Sequence, residues 1–387
     1  MHENRGPLPG AAMMDAPAHS AARPDHSAER RAAEAAHPRV RAHFPELDVM
    51  RGAAIIAVVY LHAYFGPWPD TARAGHTLLH IAHLFAHTAV PVFLFMSAFL
   101  QSRDRSDGMA RFQLRKLQRI YLPALFWMFA VLAYRILDEG GFDRTLVKAF
   151  LLFDIAGQYY YLWLLVAFYA AFFVIRGWSE RQLGVLTAVA FAVNLAMIVW
   201  YEPRELSDDF ATLAYRNPAT WVFFYAAGFY VGRRFGSLEC TRALLRPALA
   251  AMAAIGAVYL VMGEAFDHYP TSYFGVSVFL FSCCALVAYP ALIQRIDASD
   301  RLCFVLRPFA ALAPYSFAIY LVHMPFFLGY ATNYLVPFDG PLGRDYFLLV
   351  HSLFVVALLT CTAAVVLVSK LTPRLAEDLL GVDPRRT

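Results

Sequence analysis

The sequence predicts an all-α, polytopic membrane protein with about ten transmembrane helices, and three observations carry that expectation. Of 387 residues, 59% are hydrophobic and only 16% charged, against about a quarter charged in soluble domains. The apolar residues gather in runs near the length that crosses a hydrocarbon core of ~30 Å. The loops between the runs alternate between basic and acidic. By the excess of Lys and Arg on cytoplasmic loops, that alternation places both termini in the cytoplasm and makes the number of spans even. Length alone would suggest two or three soluble domains; composition overrides it.

Residues 1–45 form a low-complexity tail rich in Ala, Arg, His and Pro. It has no apolar run long enough for a signal-peptide core, and it is expected to be disordered. Its scattered histidines, His19, His26, His37 and His43, are read as solvated side chains. The ten expected spans are 48–66, 78–101, 120–137, 157–175, 183–200, 218–232, 247–263, 273–293, 308–331 and 346–369. Residues 146–156 are a shorter apolar piece, expected to be interfacial or re-entrant. Basic loops carry Arg103 to Arg119, Arg176 and Arg181, Arg233 to Arg246, Arg295 to Arg307, and Lys370 to Arg386. The intervening loops carry Asp70, then Asp138 to Asp143, Glu202 to Asp209, Glu264 and Asp267, and Asp339 and Asp345. The loops are short, so residues 46–372 read as one transmembrane domain, followed by a short cytoplasmic tail, 373–387. The five cysteines form no CxxC pair and read as small apolar residues without a disulfide framework.

Ionisable groups inside these spans are costly, which makes each a functional candidate. Asp48 and Arg51 open the first span, and His62 lies eleven residues beyond Arg51, ~16 Å along a helix at ~1.5 Å per residue. His62 reads either as a core histidine bonded to a neighbouring helix or as a general base for a hydroxyl. His76, His80, His83 and His87 recur at helical spacing and share one face. That face suits a cavity receiving a polar substrate better than a metal site, because no carboxylate is adjacent. Pro91 is expected to break the helix before Val92. Arg111, Arg115 and Arg119 form a stripe that fits an interfacial anchor and a phosphate clamp equally. Ser316, Tyr320 and His323 share a face in the ninth span, as core packing or as a second polar site. Tyr160 and Trp163, in the stretch Gln158 to Trp163, read as an interfacial aromatic belt or as a platform for sugar rings.

Several of these stretches resemble, in order, motifs of the acyltransferase-3 superfamily of integral-membrane O-acyltransferases. Leu47-Asp48, Arg51-Gly52 and His62 are similar to its first-helix signature, with its Arg-x10-His spacing. Val90 to Leu100 resembles its second-helix segment, Arg119 to Pro123 its Arg-rich approach to helix three, Tyr160 to Leu165 its aromatic Leu-Trp motif, and Tyr315 to His323 its late Tyr-Leu-x-His motif. The resemblance covers about residues 45–370. It departs at Ala98, where the family commonly has Gly, and at Met50, where Leu is usual. No hydrolase-like domain, of the kind fused in some members, is expected to follow. The Tyr-rich stretch is similar to the branch that acts on exopolysaccharides and periplasmic glucans.

The resemblance implies an acyltransferase, of the kind moving groups other than amino-acyl groups, in a multi-pass position in the bacterial inner membrane. It implies acyl-CoA, acetyl or succinyl, as cytoplasmic co-substrate. The acceptor would be a hydroxyl of an envelope glycan, and neither a metal nor nucleic acid is expected. In that scheme His62 is the general base, and Arg51 binds donor phosphate or pairs with Asp48. Arg111, Arg115 and Arg119 hold the phosphates of the donor. His323 and Tyr320 polarise the thioester carbonyl or position the acceptor. His83, His87, Tyr160, Trp163 and Ser316 line the acceptor side. An exporter of a polysaccharide or lipid-linked sugar would use the same cavity and aromatics without a base or a phosphate clamp.

Overall fold

Eight helical segments among the described residues are long and apolar enough to cross a bilayer. The structure is a computed structural model that describes residues 44–63, 73–103, 109–138, 140–203, 208–266, 269, 272–329 and 346–383. Among them there is no strand. The tail 1–43, the side chain of His76 and the loop carboxylates Asp70, Glu139, Glu205, Asp208, Asp209, Asp267, Asp339 and Asp345 lie outside the description.

The expected count of ten spans therefore divides into eight and two. The first expected span forms a helix, α1 (Pro45–Ala63), but Glu46, Asp48 and Arg51 crowd its first turns. The sixth forms a 13-residue helix, Val222–Arg234, too short alone for a core of ~30 Å at 1.5 Å per residue. Residues 146–156 do not span. They contribute a short helix, Arg144–Leu151, whose N-terminus Asp143 caps by accepting the Leu146 amide at 2.8 Å. That bond holds the Asp143 carboxyl below its usual range.

The helix α1 is the hub of the bundle. It packs against α2 (Arg73–Ala86), α3 (Ala89–Ser102) and several later elements, the last of them the long C-terminal span Tyr346–Leu371. Gly52 explains one close approach. A Cβ there would collide with the backbone carbonyl of Phe309, so the glycine lets the ninth span lie directly on α1. The peripheral spans turn large apolar groups outward. Examples are Phe126 and Phe129, Val185, Val189 and Val193, Val258 and Val261, and Val355 and Leu359. A soluble monomer rarely exposes so wide an apolar belt, and hydrocarbon is the solvent that accepts it.

Helix ends of like charge converge. Arg103 donates to the Gly236 carbonyl and its guanidinium lies 5.0 Å from the Phe44 ring. Arg234 pairs with Glu180 at 2.7 Å. Gln294 bridges Glu46 and Arg242, at 3.4 and 2.8 Å. Arg119 reaches Asp383 at 3.4 Å. This basic end holds the start of α1; His62 lies at the other end of the same uninterrupted helix.

Two breaks differ from the sequence reading. The interruption near Pro91 falls earlier, at His87–Thr88, and Pro91 sits in the first turn of α3, where no amide proton is needed. The ninth span is not a plain helix. It runs as a 3₁₀ turn Cys303–Leu306, α4 (Arg307–Leu312), a 3₁₀ turn Ala313–Tyr315, α5 (Ser316–Val322) and a π turn His323–Leu328. Pro308, Pro314 and Pro325 punctuate it, each removing an amide donor.

Candidate functional site

The site is assembled where the far end of α1 meets the π turn. The rings of His62 and His323 lie 5.2 Å apart, centre to centre, although 261 positions separate them in the chain. His62 is half-buried and His323 fully buried. Nδ1 of His323 lies 3.0 Å from the carbonyl oxygens of both Ile319 and Tyr320. Those oxygens only accept, so Nδ1 carries the proton and Nε2 of the neutral ring carries the lone pair. Nε2 is buried and has no hydrogen-bond partner among the described residues. The π turn that begins at His323 widens the helix at this point. Such turns recur at functional sites.

Tyr320 joins the pair to a second element. Its ring centre is 6.4 Å from that of His323, and its hydroxyl donates to the Gln158 carbonyl at 2.6 Å. Tyr159 returns the contact by donating to the Leu321 carbonyl at 2.8 Å. The 3₁₀ turn Gly157–Tyr159 is thus bolted to α5. Ser316, on the same face, spends its hydroxyl proton on the Ala313 carbonyl at 2.9 Å.

Just before that turn lies a clamp the sequence reading did not single out. Arg216, 7% exposed, pairs with Asp154 at 2.8 Å. It also donates to the carbonyls of Leu152, Phe153 and Thr212. Its charge acts on Tyr320. Phe153 between them has φ of 57°, a left-handed conformation that a non-glycine residue keeps only when its surroundings impose it. Trp163, partly exposed, donates its indole N–H to the Arg216 carbonyl at 3.1 Å.

The tyrosines Tyr159, Tyr160 and Tyr161 all point inward and are buried, so the interfacial-belt reading does not describe them. Tyr160 lies 5.2 Å from Tyr215 and 5.9 Å from Trp221, and both of those rings pack on Tyr273. Tyr273 also packs 4.6 Å from His87. The rings of His83 and His87 are 4.2 Å apart. Nδ1 of His87 donates to the His83 carbonyl at 2.8 Å. Tyr273 therefore links the histidine stripe to Tyr160. His80 instead stacks on Tyr269 at 3.5 Å. Among the described residues, no group of three His, Cys, Asp or Glu side chains is arranged to hold a metal ion.

Toward the basic end, Arg51 lies 3.6 Å from Asp48, with the buried Tyr161 and Tyr169 near it. Arg111 and Arg119 are exposed and Arg115 is half-buried. The stripe is not one continuous α-helical face. The helix Met109–Lys116 passes into a π turn, Leu117–Tyr121, and the wider turn rotates Arg119 away from the line of Arg111 and Arg115.

One half-buried and one fully buried histidine meet inside a polytopic helical bundle, at the far end of α1 from its charged start. Residues 44–369 match a family model described as an acyltransferase domain, and the chain belongs to that family, acyltransferase-3. It is a multi-pass membrane acyltransferase. No curated protein and no solved structure matches the chain.

The structure thus brings together His62, His323 and Tyr320, and leaves Arg51 ~16 Å and Asp48 ~21 Å away along α1 at 1.5 Å per residue. Gln158, Arg216, Asp154 and Tyr273 were missed by sequence reasoning. The one usable signal was a lone Arg and a lone Asp flanking apolar runs on the acidic side of the alternation.

Proposed function

We propose that the protein moves an acyl group from cytoplasmic acyl-CoA, acetyl or succinyl, to a hydroxyl of an envelope glycan at the inner membrane of a bacterium. The observation that carries this reading is the His62–His323 pair. His62 is half-buried on the helix whose opposite end carries Arg51, and His323, from the ninth span, is fully buried with its tautomer fixed. The positive-inside rule puts the basic end in the cytoplasm. Arg111, Arg115 and Arg119 then meet the phosphates of coenzyme A, whose oxygens match guanidinium forks. The pantetheine arm runs inward past Arg51 for the ~16 Å to His62. The acceptor arrives from the other end, past His83, His87, Tyr160 and Trp163.

The chemistry balances on these groups. The acceptor hydroxyl oxygen attacks the thioester carbonyl carbon while His62 takes its proton. The tetrahedral intermediate collapses, the C–S bond breaks, and the thiolate recovers the proton from His62. The products are an ester and free coenzyme A. His323 with Nδ1–H committed cannot donate from Nε2 as a neutral ring. Its role is to accept a hydrogen bond and position the acceptor, and it does not polarise the thioester carbonyl. Tyr320 holds the turn that faces it.

The test is direct. Purified protein is incubated with radiolabelled acetyl-CoA and glycan stripped of its esters by mild alkali. Label appearing in the glycan with stoichiometric release of coenzyme A is expected. An exporter would move the glycan and leave the label on coenzyme A.

A further inference from the structure

A crevice of about 370 Å³ runs along one face of α1, walled by α1, α2, the helix Val276–Asp297 and the C-terminal span. That face turns away from the histidine pair. At 3.6 residues per turn, His62 lies about 20° around α1 from Arg51, whereas Ala53 and Tyr60, which line the crevice, lie roughly 160° and 180° from Arg51. The crevice is therefore separate from the path between Arg51 and His62. Small side chains make its room: Ala53 and Ala57 line it from α1, and Ala82 and Ala86 from α2. Small residues usually let membrane helices close on each other; here they keep two helices from filling the space between them. Packed interiors hold few voids larger than a water, and an apolar one offers water no partners.

The walls describe what fits. Phe85 lines the crevice and is 45% exposed, so the crevice is continuous with the outward apolar belt, whose solvent is hydrocarbon. Two of its hydroxyls satisfy each other. Thr88 donates to the Phe85 carbonyl at 2.7 Å, so the Tyr289 hydroxyl is the donor to Thr88 at 3.2 Å. The third is Tyr60, 8% exposed, whose hydroxyl has no hydrogen-bond partner among the described residues. Its ring is held edge-on by Phe354 and His351, at 5.2 and 5.7 Å. Along α1 the lining runs from Met50 to Tyr60, ~15 Å at 1.5 Å per residue, half of a hydrocarbon core of ~30 Å and so the depth of one leaflet. Tyr60 stands at the end away from the basic side. We infer that this crevice binds one acyl chain of a glycerophospholipid from the leaflet opposite the basic end, with the ester carbonyl of that chain accepting from Tyr60. A polyprenyl chain would match the apolar walls and bring no ester carbonyl. The inference stands apart from the acyl-transfer reading, because the crevice lies on the other face of α1.

The experiment follows thermal unfolding of the full-length protein in dodecyl maltoside as dioleoylphosphatidylcholine is added. A ligand that binds only the folded state raises the unfolding temperature by mass action, and wild type should rise by several degrees. Ala57→Phe fills the crevice and should lose that rise; Ala82→Leu fills it from the other wall and serves if Ala57→Phe does not fold. Tyr60→Phe should reach the same rise at ~5-fold higher lipid, the worth of one neutral hydrogen bond. Undecaprenyl phosphate in place of the phospholipid should give no rise. A wild type that phosphatidylcholine does not stabilise would overturn the inference, as would filled variants that respond as wild type does, since the lipid would then act on the outer belt. An equal response to undecaprenyl phosphate would assign the crevice to a polyprenyl chain instead. Tyr60→Phe that responds at the wild-type lipid concentration would overturn the placing of the ester.

Discussion

Arg216→Met should loosen the turn that presents Gln158 while leaving the lipid-facing helices alone. The guanidinium donates to three carbonyls, those of Leu152, Phe153 and Thr212, and to the Asp154 carboxylate. Methionine keeps the apolar stem and removes every donor. Three hydrogen bonds from the charged guanidinium to backbone carbonyls, taken at the low figure of about 1 kcal/mol each, contribute about 3 kcal/mol. Breaking a fully buried ion pair costs about 3–5 kcal/mol. The Asp154 side chain, however, is 36% exposed and can hydrate, so about 1 kcal/mol is the fitting figure. The total is about 4 kcal/mol, and it bears on the turn in which Phe153 is left-handed. The assay is thermal unfolding in detergent at one scan rate, because membrane proteins commonly unfold irreversibly. Arg216→Met should melt several degrees below wild type, Asp154→Asn by less. The double variant should melt close to Arg216→Met alone, since the two side chains form one unit. An Arg216→Met protein that melts within about one degree of wild type would refute the reasoning.

Two further predictions concern the other faces of the bundle. Gly52→Ala forces a Cβ into the Phe309 carbonyl, and backbone cannot yield as a side chain does. It should cost about 1–3 kcal/mol, read as a lower unfolding temperature and reduced folded yield; unchanged melting would count against the packing described. Asp383→Asn removes the carboxylate 3.4 Å from Arg119 and should lower the KM for acyl-CoA by ~2- to 3-fold, the scale of an exposed charge pair. Arg119→Gln should raise that KM by a similar factor. Matching shifts of the same sign in both variants would show that Arg119 does not meet the donor.

Much of this architecture was legible because membrane helices announce themselves. Long apolar runs separated by charged loops can be read without knowing any contact. The motif residues were legible too, since Arg51, His62, Tyr320 and His323 are polar groups inside those runs. Their meeting was not, because a separation of 261 positions carries no periodic signal. Gln158 is hidden for a different reason. It lies in a three-residue 3₁₀ turn, where an exposed glutamine and a buried one look the same in sequence. Arg216 and Asp154 read as ordinary loop charges, and only the fold shows that they hold Phe153 in a left-handed turn. Pro91 misled because proline marks either a break or a first helical turn, and the backbone chose the second.

The central claim is that His62 takes the acceptor proton. The most direct measurement is the single-turnover rate of acyl transfer from acetyl-CoA by His62→Ala, alongside its binding of coenzyme A. General-base catalysis contributes typically 10²–10⁴-fold. The rate should fall by about that factor, with the affinity for coenzyme A retained, because the proposed phosphate contacts start ~16 Å away at Arg51. A folded His62→Ala protein that transfers acyl groups at the wild-type rate would contradict the account.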